Sequence, residues 1–178
     1  MAESTGKTPL YIAASSGHVH IVQLLLEDGA DVHQALTDGA TSLYIAAKKG
    51  HLPVVQLLLH HGATVNQANN KGETPLWIAA KKGHSPVVQL LLEHEAEMHR
   101  ADTLGRTPLL FAIHQGHLPV VQLLVERGAD VHQAKTDGAT PLFIAAHQGH
   151  LPVVQLFLER GADVAASAFG RTARGIAT

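Results

Sequence analysis

Cysteine is absent from all 178 residues of the chain. Its absence excludes disulfide bonds, thiolate nucleophiles and cysteine-ligated zinc sites. A chain without cysteine suits a reducing compartment and equally suits an engineered protein. We therefore take the cytoplasm as the expected location.

The chain also lacks an excess of positive charge, because its formal net charge is −2 and its isoelectric point is near 6.7. Non-specific nucleic-acid binding depends on a broad positive field, so we expect no DNA or RNA partner. Long apolar runs are missing too, and residues 1–10 show no charged segment followed by an apolar core. Neither secretion nor a membrane span is predicted.

What the sequence does contain is a period of 33 residues, which indicates a repeat array. Columns of threonine, glycine and valine keep the same register as a leucine column, formed by Leu10, Leu43, Leu76, Leu109 and Leu142. We expect a single array over residues 1–178. Its repeats are predicted at about 4–36, 37–69, 70–102, 103–135 and 136–168, with a truncated sixth at 169–178.

One unit of the array predicts two short helices. Thr74 is a candidate N-cap with Pro75 at the first helical position, and Gly83 ends this helix. Pro86 begins a second helix that ends near His94. Each helix has apolar residues at the i, i+3, i+4 spacing of one buried face. Helices this short are marginal alone, so their stability must come from packing between neighbouring repeats.

The segments TPLYIAA, TSLYIAA, TPLWIAA, TPLLFAI and TPLFIAA open the five units. They resemble the ankyrin repeat family, whose signature is T-P-L-H-x-A within a β-turn and two helices. The resemblance covers nearly the whole chain. It implies an all-α repeat protein, an ankyrin-type α-solenoid of β-turn/helix-turn-helix units. It also implies a protein–protein interaction scaffold that binds its partner in a concave groove of turn tips and first helices.

The signature histidine of that family is replaced here by an apolar column of Tyr11, Tyr44, Trp77, Leu110 and Phe143. The favoured interpretation is a structural ladder between repeats. The alternative is that the aromatic members are partly exposed and anchor a partner. Their exposure distinguishes the two.

Fourteen histidines raise the hypothesis of a metal site. Most of them fall into columns, of which the largest is His18, His51, His84, His117 and His150. Stacked helices lie roughly 8–10 Å apart, whereas histidines that share a zinc ion each place a nitrogen about 2 Å from it. Column neighbours are too distant for this, so a histidine-dependent metal protein is the least favoured hypothesis and no cofactor is expected.

Asn66 resembles the ankyrin positions that an asparaginyl hydroxylase modifies, and His33, His99 and His132 occupy the equivalent places. The favoured interpretation of Asn66 is structural, with its side chain hydrogen-bonded to loop backbone.

Catalytic patterns are missing from the sequence. The serines have no repeated base and orienting partner of the kind that a catalytic triad requires. The glycines occur singly, at turns and helix ends, rather than in a phosphate-binding loop. We therefore predict that the chain is not an enzyme.

Comparison of the units with one another predicts the partner-binding residues, because two places vary while the scaffold columns stay fixed. The resemblance implies that both line the groove. The turn positions are Thr37, Asp38, Ala40, Asn70, Lys71, Glu73, Thr103, Leu104, Arg106, Thr136, Asp137 and Ala139. The first-helix ends are Ser15 and Ser16 in the first unit, then Lys48, Lys49, Lys81, Lys82, His114, Gln115, His147 and Gln148.

Four lysines in this set, with Lys71 and Arg106 nearby, predict a locally positive groove and a partner with an acidic segment. The competing interpretation is a solvated face that only keeps the protein soluble. On that interpretation the chain is a purely structural or engineered repeat scaffold, a stable monomer without a natural partner. A monomer is expected on either view.

Overall fold

A computed structural model describes residues 6–165, which form ten α-helices in five antiparallel pairs. We number the pairs as repeats 1 to 5. The helices are α1 (Pro9–Ser16), α2 (Val19–Glu27), α3 (Ser42–Lys49), α4 (Leu52–His60), α5 (Pro75–Lys82), α6 (Ser85–Glu93), α7 (Pro108–His114), α8 (Leu118–Glu126), α9 (Pro141–His147) and α10 (Leu151–Glu159). Within the described part of the chain, β structure is limited to one isolated bridge between Ala35 and Thr41. The predicted truncated repeat, 169–178, lies outside the described residues.

The first helix of each repeat begins as the sequence predicts. A threonine hydroxyl accepts a hydrogen bond from the backbone N–H three residues ahead, as Thr74 does from Trp77 at 3.1 Å. The first three of these helices end at a glycine in the left-handed conformation, such as Gly83 with φ of 77°. In α7 and α9 a glutamine, Gln115 or Gln148, caps the helix one position earlier.

A turn follows each second helix, and one residue of that turn has a positive φ, a conformation for which glycine is suited. Four repeats have glycine there, and repeat 3 has Glu95, with φ of 62°. Side chains with a Cβ rarely adopt this conformation, so the turn after α6 carries local strain that the others avoid.

The core is a continuous stripe between helices of neighbouring repeats. Each first helix packs against the first helices on either side and against its own second helix. In repeats 2 and 3 burial extends beyond the predicted single face, since the six residues before the lysine pair of α5 are all buried. In repeat 1 the apolar side chains of Ile12, Ile21 and Leu24 are exposed.

Candidate protein-binding surface

Hairpins precede α3, α5, α7 and α9, and in each a backbone hydrogen bond joins two residues that are four positions apart. These bonds join Leu36 N to Ala40 O, Asn69 N to Glu73 O, Asp102 N to Arg106 O and Lys135 N to Ala139 O. Neighbouring tips are also linked, because Asn70 N donates to Asp38 O at 2.8 Å and Thr103 N donates to Lys71 O at 3.0 Å. The tips consequently form a row. We define the hairpin face as the exposed side chains of 6–8, 36–41, 69–74, 102–107 and 135–140, with those of the first-helix ends.

Two kinds of side-chain contact shape these hairpins. Asp38 and Asp137 each accept the N–H two residues ahead. Asn69 and Asp102 stand two places earlier in their hairpins and accept two N–H groups each. Asp102 is almost completely buried and also accepts from Arg106 Nε at 2.7 Å. The charge of Arg106 is therefore largely compensated within its own hairpin.

Most of the predicted binding residues are exposed. These are Thr37, Asp38, Lys48, Lys49, Asn70, Lys71, Lys82, Thr103, Leu104, His114, Gln115, Thr136, Asp137, His147 and Gln148, whereas Glu73, Lys81 and Arg106 are half-buried. Two predictions are wrong. The side chains of Ala40 and Ala139 were predicted to be exposed, but the two residues are only 2% and 6% exposed, because each packs into the core beneath its hairpin.

The two half-buried cations, Lys81 and Arg106, lie against aromatic rings. Lys81 Nζ is 4.9 Å from the centre of the Trp77 ring and 4.8 Å from that of Phe111. Arg106 Cζ is 4.7 Å from the centre of the Phe111 ring. The two rings are in contact, with centres 4.4 Å apart. Cation–π attraction thus fixes these two charges, while Lys48, Lys49 and Lys82 remain exposed.

The aromatic column divides between its two predicted roles. Trp77 and Tyr44 are 0% and 6% exposed, and each is tied to the hairpin of the following repeat. Trp77 Nε1 donates to Arg106 O at 2.7 Å, and the Tyr44 hydroxyl donates to a Glu73 carboxylate oxygen at 2.7 Å. Both residues are therefore structural. Phe143 is 37% exposed and remains available to a partner.

Tyr44 sits in an environment that favours its neutral form. Burial, followed by the hydrogen bond to Glu73 and the charge of that carboxylate, raises the pKa of Tyr44 far above its usual range.

In the hairpin before α9, the hydrogen bond from Lys135 and the hydrogen bond from the N–H of Ala139 lower the pKa of Asp137. Asp137 therefore stays ionised and holds Lys135 at its tip, with Nζ 2.8 Å from the carboxylate.

A cleft of about 520 Å³ opens on the hairpin face between repeats 4 and 5. The apolar part of its lining is Leu110, Phe111, Ala139, Phe143 and Ile144, and the polar part is Arg106, His114, Lys135, Asp137, His147 and Gln148. The cleft thus brings together predicted residues from the hairpin tips and from the first-helix ends of two repeats. Its size lies within the usual range of ligand pockets, about 300–1,000 Å³.

Four residues important to this surface escaped the sequence prediction: Asn69, Asp102, Phe111 and Lys135. Phe111 interrupts a column that is otherwise isoleucine, and this break was a usable signal. Lys135 shares a column with Leu36, Asn69 and Asp102, which varies in charge from repeat to repeat. The variation there was visible, but which members point inward depends on the hairpin hydrogen bonds.

Charge is separated between the hairpin face and the opposite side of the array. All seven lysines of the chain fall in the hairpins, in the segment before α1 or at first-helix ends: Lys7, Lys48, Lys49, Lys71, Lys81, Lys82 and Lys135. The same surface also carries Arg106 and four carboxylates: Asp38, Glu73, Asp102 and Asp137. In residues 6–165 the second helices and the loops after them carry ten carboxylates and three arginines. The hairpin face is therefore positive on a chain whose net charge is negative.

The largest histidine column is structural over most of its length. Nε2 of His51, His84 and His117 lies 3.1–3.2 Å from the backbone carbonyl 36 residues earlier, in the preceding repeat. Because a carbonyl can only accept, Nε2 carries the hydrogen in each. Nε2 of His150 is buried, and residues 6–165 offer it no partner. Within the same residues no three histidine or carboxylate side chains are grouped to hold a metal ion.

Asn66 links two loops in the way that the favoured interpretation predicts. Its Oδ1 accepts from Glu97 N at 2.9 Å and its Nδ2 donates to Glu95 O at 3.4 Å, both in the following repeat. Its side chain therefore serves loop packing.

Comparison with known proteins agrees with this architecture. A family model described as ankyrin repeats in three copies matches residues 1–69, 65–135 and 95–168. A search of curated proteins finds no match to the sequence. None of the helices in residues 6–165 combines the length and apolar character needed to cross a bilayer. The predicted all-α ankyrin solenoid is confirmed, and the chain belongs to the ankyrin repeat family, whose repeats are generally protein–protein interaction modules.

Proposed function

We propose that this chain is a monomeric cytoplasmic scaffold that binds another protein through its hairpin face and recognises an acidic segment of that partner. The observation that carries the proposal is the charge separation, which gathers every lysine on one surface of a chain with net charge −2. A solubilising role alone gives no reason for the lysines to avoid the second helices. Complementary charge guides association and selects the partner.

Three of the lysines are suited to a test because their side chains make no hydrogen bond, ion pair or cation–π contact within residues 6–165. Lys48, Lys49 and Lys82 are exposed at the ends of α3 and α5. Lys81 is omitted, because it contacts Trp77 and Phe111 and its loss would also alter packing. The triple variant Lys48→Glu, Lys49→Glu, Lys82→Glu reverses the exposed charge in the centre of the face.

Random peptides displayed on phage are selected on the immobilised wild-type protein, and the enriched peptides are then measured by titration calorimetry. We expect enrichment of acidic peptides, and binding to the triple variant about tenfold weaker or worse at low salt. The difference should shrink as salt is added, because exposed charges are screened beyond about 10 Å at 0.1 M ionic strength.

A matched control changes the net charge by the same amount elsewhere. Arg100→Glu, Arg127→Glu and Arg160→Glu together alter three exposed cations on the side opposite the hairpin face. This control should bind the selected peptides nearly as well as the wild type. Peptides without acidic enrichment, or equal weakening in both variants, would contradict the proposal and favour a purely structural or engineered scaffold.

A further inference from the structure

The cleft between repeats 4 and 5 owes its existence to two small residues. Between repeats 3 and 4, Trp77 spans from α5 to the next hairpin and contacts the ring of Phe111. Leu110 follows Trp77 at the repeat spacing of 33 residues, and Ala139 follows Arg106 in the same way. Both are smaller than their counterparts. The space that an indole ring and an arginine side chain fill in one place is left open in the other.

The cleft also keeps a hydrogen-bond acceptor of the kind that Trp77 uses. Arg106 O accepts two hydrogen bonds, from Asp102 N within its hairpin and from Trp77 Nε1. The equivalent oxygen, Ala139 O, accepts from Lys135 N at 3.0 Å. Residues 6–165 provide it with no second donor, so one of its two lone pairs is free, and Ala139 lines the cleft.

Aromatic walls and cationic edges complete the resemblance between the two places. Phe111 and Phe143 both line the cleft, and Arg106 and Lys135 stand at its edge. Trp77 itself lies under Lys81, whose Nζ is 4.9 Å from the ring centre. Cations placed over an indole face attract it. Arg106 and Lys135 are already paired with Asp102 and Asp137, so the carboxylates that flank the ring would be attracted by the exposed lysines of the hairpin face.

We infer that the cleft binds a tryptophan side chain in the acidic segment of the partner, with its indole N–H donated to Ala139 O as Trp77 donates to Arg106 O. The inference rests on the proposed function and names the anchor within that segment. A second copy of this chain cannot supply the anchor, because its one tryptophan, Trp77, is completely buried. Tryptophan is among the residues that most often dominate protein interfaces.

Two synthetic pentapeptides test the inference by titration calorimetry at low salt. One has tryptophan at its centre with two acidic residues on each side, and the other has alanine at the centre. The wild-type protein should bind the tryptophan peptide at least about tenfold more tightly, the loss typical of removing an anchor residue. Ring burial in the cleft predicts this preference, which charge alone does not.

Two variants then locate the preference. Leu110→Trp fills the cleft from inside by restoring the residue type of Trp77, and should reduce the preference to near onefold. Because that ring must fit a buried position, Phe143→Ala provides an independent test at a wall that is 37% exposed. It should lower the preference at least about threefold without loss of the native circular dichroism spectrum.

Equal binding of the two peptides by the wild type would overturn the inference, as would a preference that persists in both variants. Failure of the proposed function has a different signature. In that case the triple lysine variant binds both peptides as tightly as the wild type. If both proposals hold, that variant weakens both peptides by the same factor and keeps the preference for tryptophan.

Discussion

The boundary between repeats 3 and 4 and the boundary between repeats 4 and 5 use the same columns and reach different results. At the first, Trp77 is buried and tied to Arg106 O, and His117 reaches Lys81 O. At the second, Leu110 leaves a cleft and His150 Nε2 is buried without a partner in residues 6–165. One repeated framework therefore gives a filled boundary in one place and an open cleft in the other.

A difference in helix length accompanies this contrast. α5 continues to Lys82 and is capped by Gly83, whereas α7 ends at His114 and is capped by Gln115. The carbonyl that would match Lys81 O belongs to His114, at the end of the shorter helix. In repeat proteins stability is roughly the sum of repeat and nearest-neighbour terms. The boundary between repeats 4 and 5 should thus contribute less to the free energy of unfolding, and its openness provides the cleft in which we propose that a partner side chain binds.

We expect the largest loss of stability when the residue that fills the boundary between repeats 3 and 4 is removed. Trp77→Ala should lower the free energy of unfolding by about 3–5 kcal/mol, because it creates a cavity and leaves Arg106 O with one hydrogen bond fewer. Phe143→Ala, at a partly exposed member of the same column, should cost no more than about 1 kcal/mol. Urea unfolding followed by circular dichroism measures both. Similar losses in the two variants would remove the distinction between filled and open boundaries.

The sequence predicted the scaffold well because a repeat gives several independent columns in one register. Thr74 as the N-cap, Pro75 at the first turn and Gly83 as the cap of α5 all follow from local backbone chemistry that each residue carries with it. This local prediction is wrong in α7, which ends at His114 and is capped by Gln115, one residue before Gly116.

The candidate surface was only partly predictable, because burial within a hairpin depends on partners that are far apart in the chain. The position of Ala40 varies among the repeats, as an exposed position would, and yet Ala40 is buried beneath its hairpin. Lys81 and Lys82 are adjacent and chemically identical, but only Lys81 lies over Trp77 and Phe111. In the sequence, Leu110 stands out only as the one non-aromatic member of its apolar column. Its effect arises from the missing volume between two repeats, which no single column reports.

Substitutions in the largest histidine column should have an intermediate effect on stability. His117→Ala should cost about 1–2 kcal/mol, because Lys81 O loses its donor from His117. His150→Ala removes a buried nitrogen that has no partner in residues 6–165, so its cost should be about 1 kcal/mol smaller. Urea unfolding at neutral pH compares the two. A cost for His150→Ala that equals or exceeds that of His117→Ala would show that the two boundaries are equally well satisfied.

Substitution of Tyr44 should have the smallest effect on stability at neutral pH. Tyr44 bonds to the hairpin of the next repeat as Trp77 does, so we expect the boundary between repeats 2 and 3 to behave like the filled boundary. The unfolded chain loses the tyrosine proton near the usual pKa of 10.0, whereas the folded chain retains it on Tyr44. Its contribution to stability is therefore full below pH 10 and declines as the pH rises above it.

Tyr44→Phe should lower the free energy of unfolding by about 1 kcal/mol at neutral pH and should make unfolding less sensitive to alkali. Tyrosinate absorbance measures the ionisation, with Tyr11→Phe, a change at the less buried tyrosine, as the control. If Tyr44 ionised near pH 10 while the circular dichroism spectrum stayed native, its bond to Glu73 would not close that boundary.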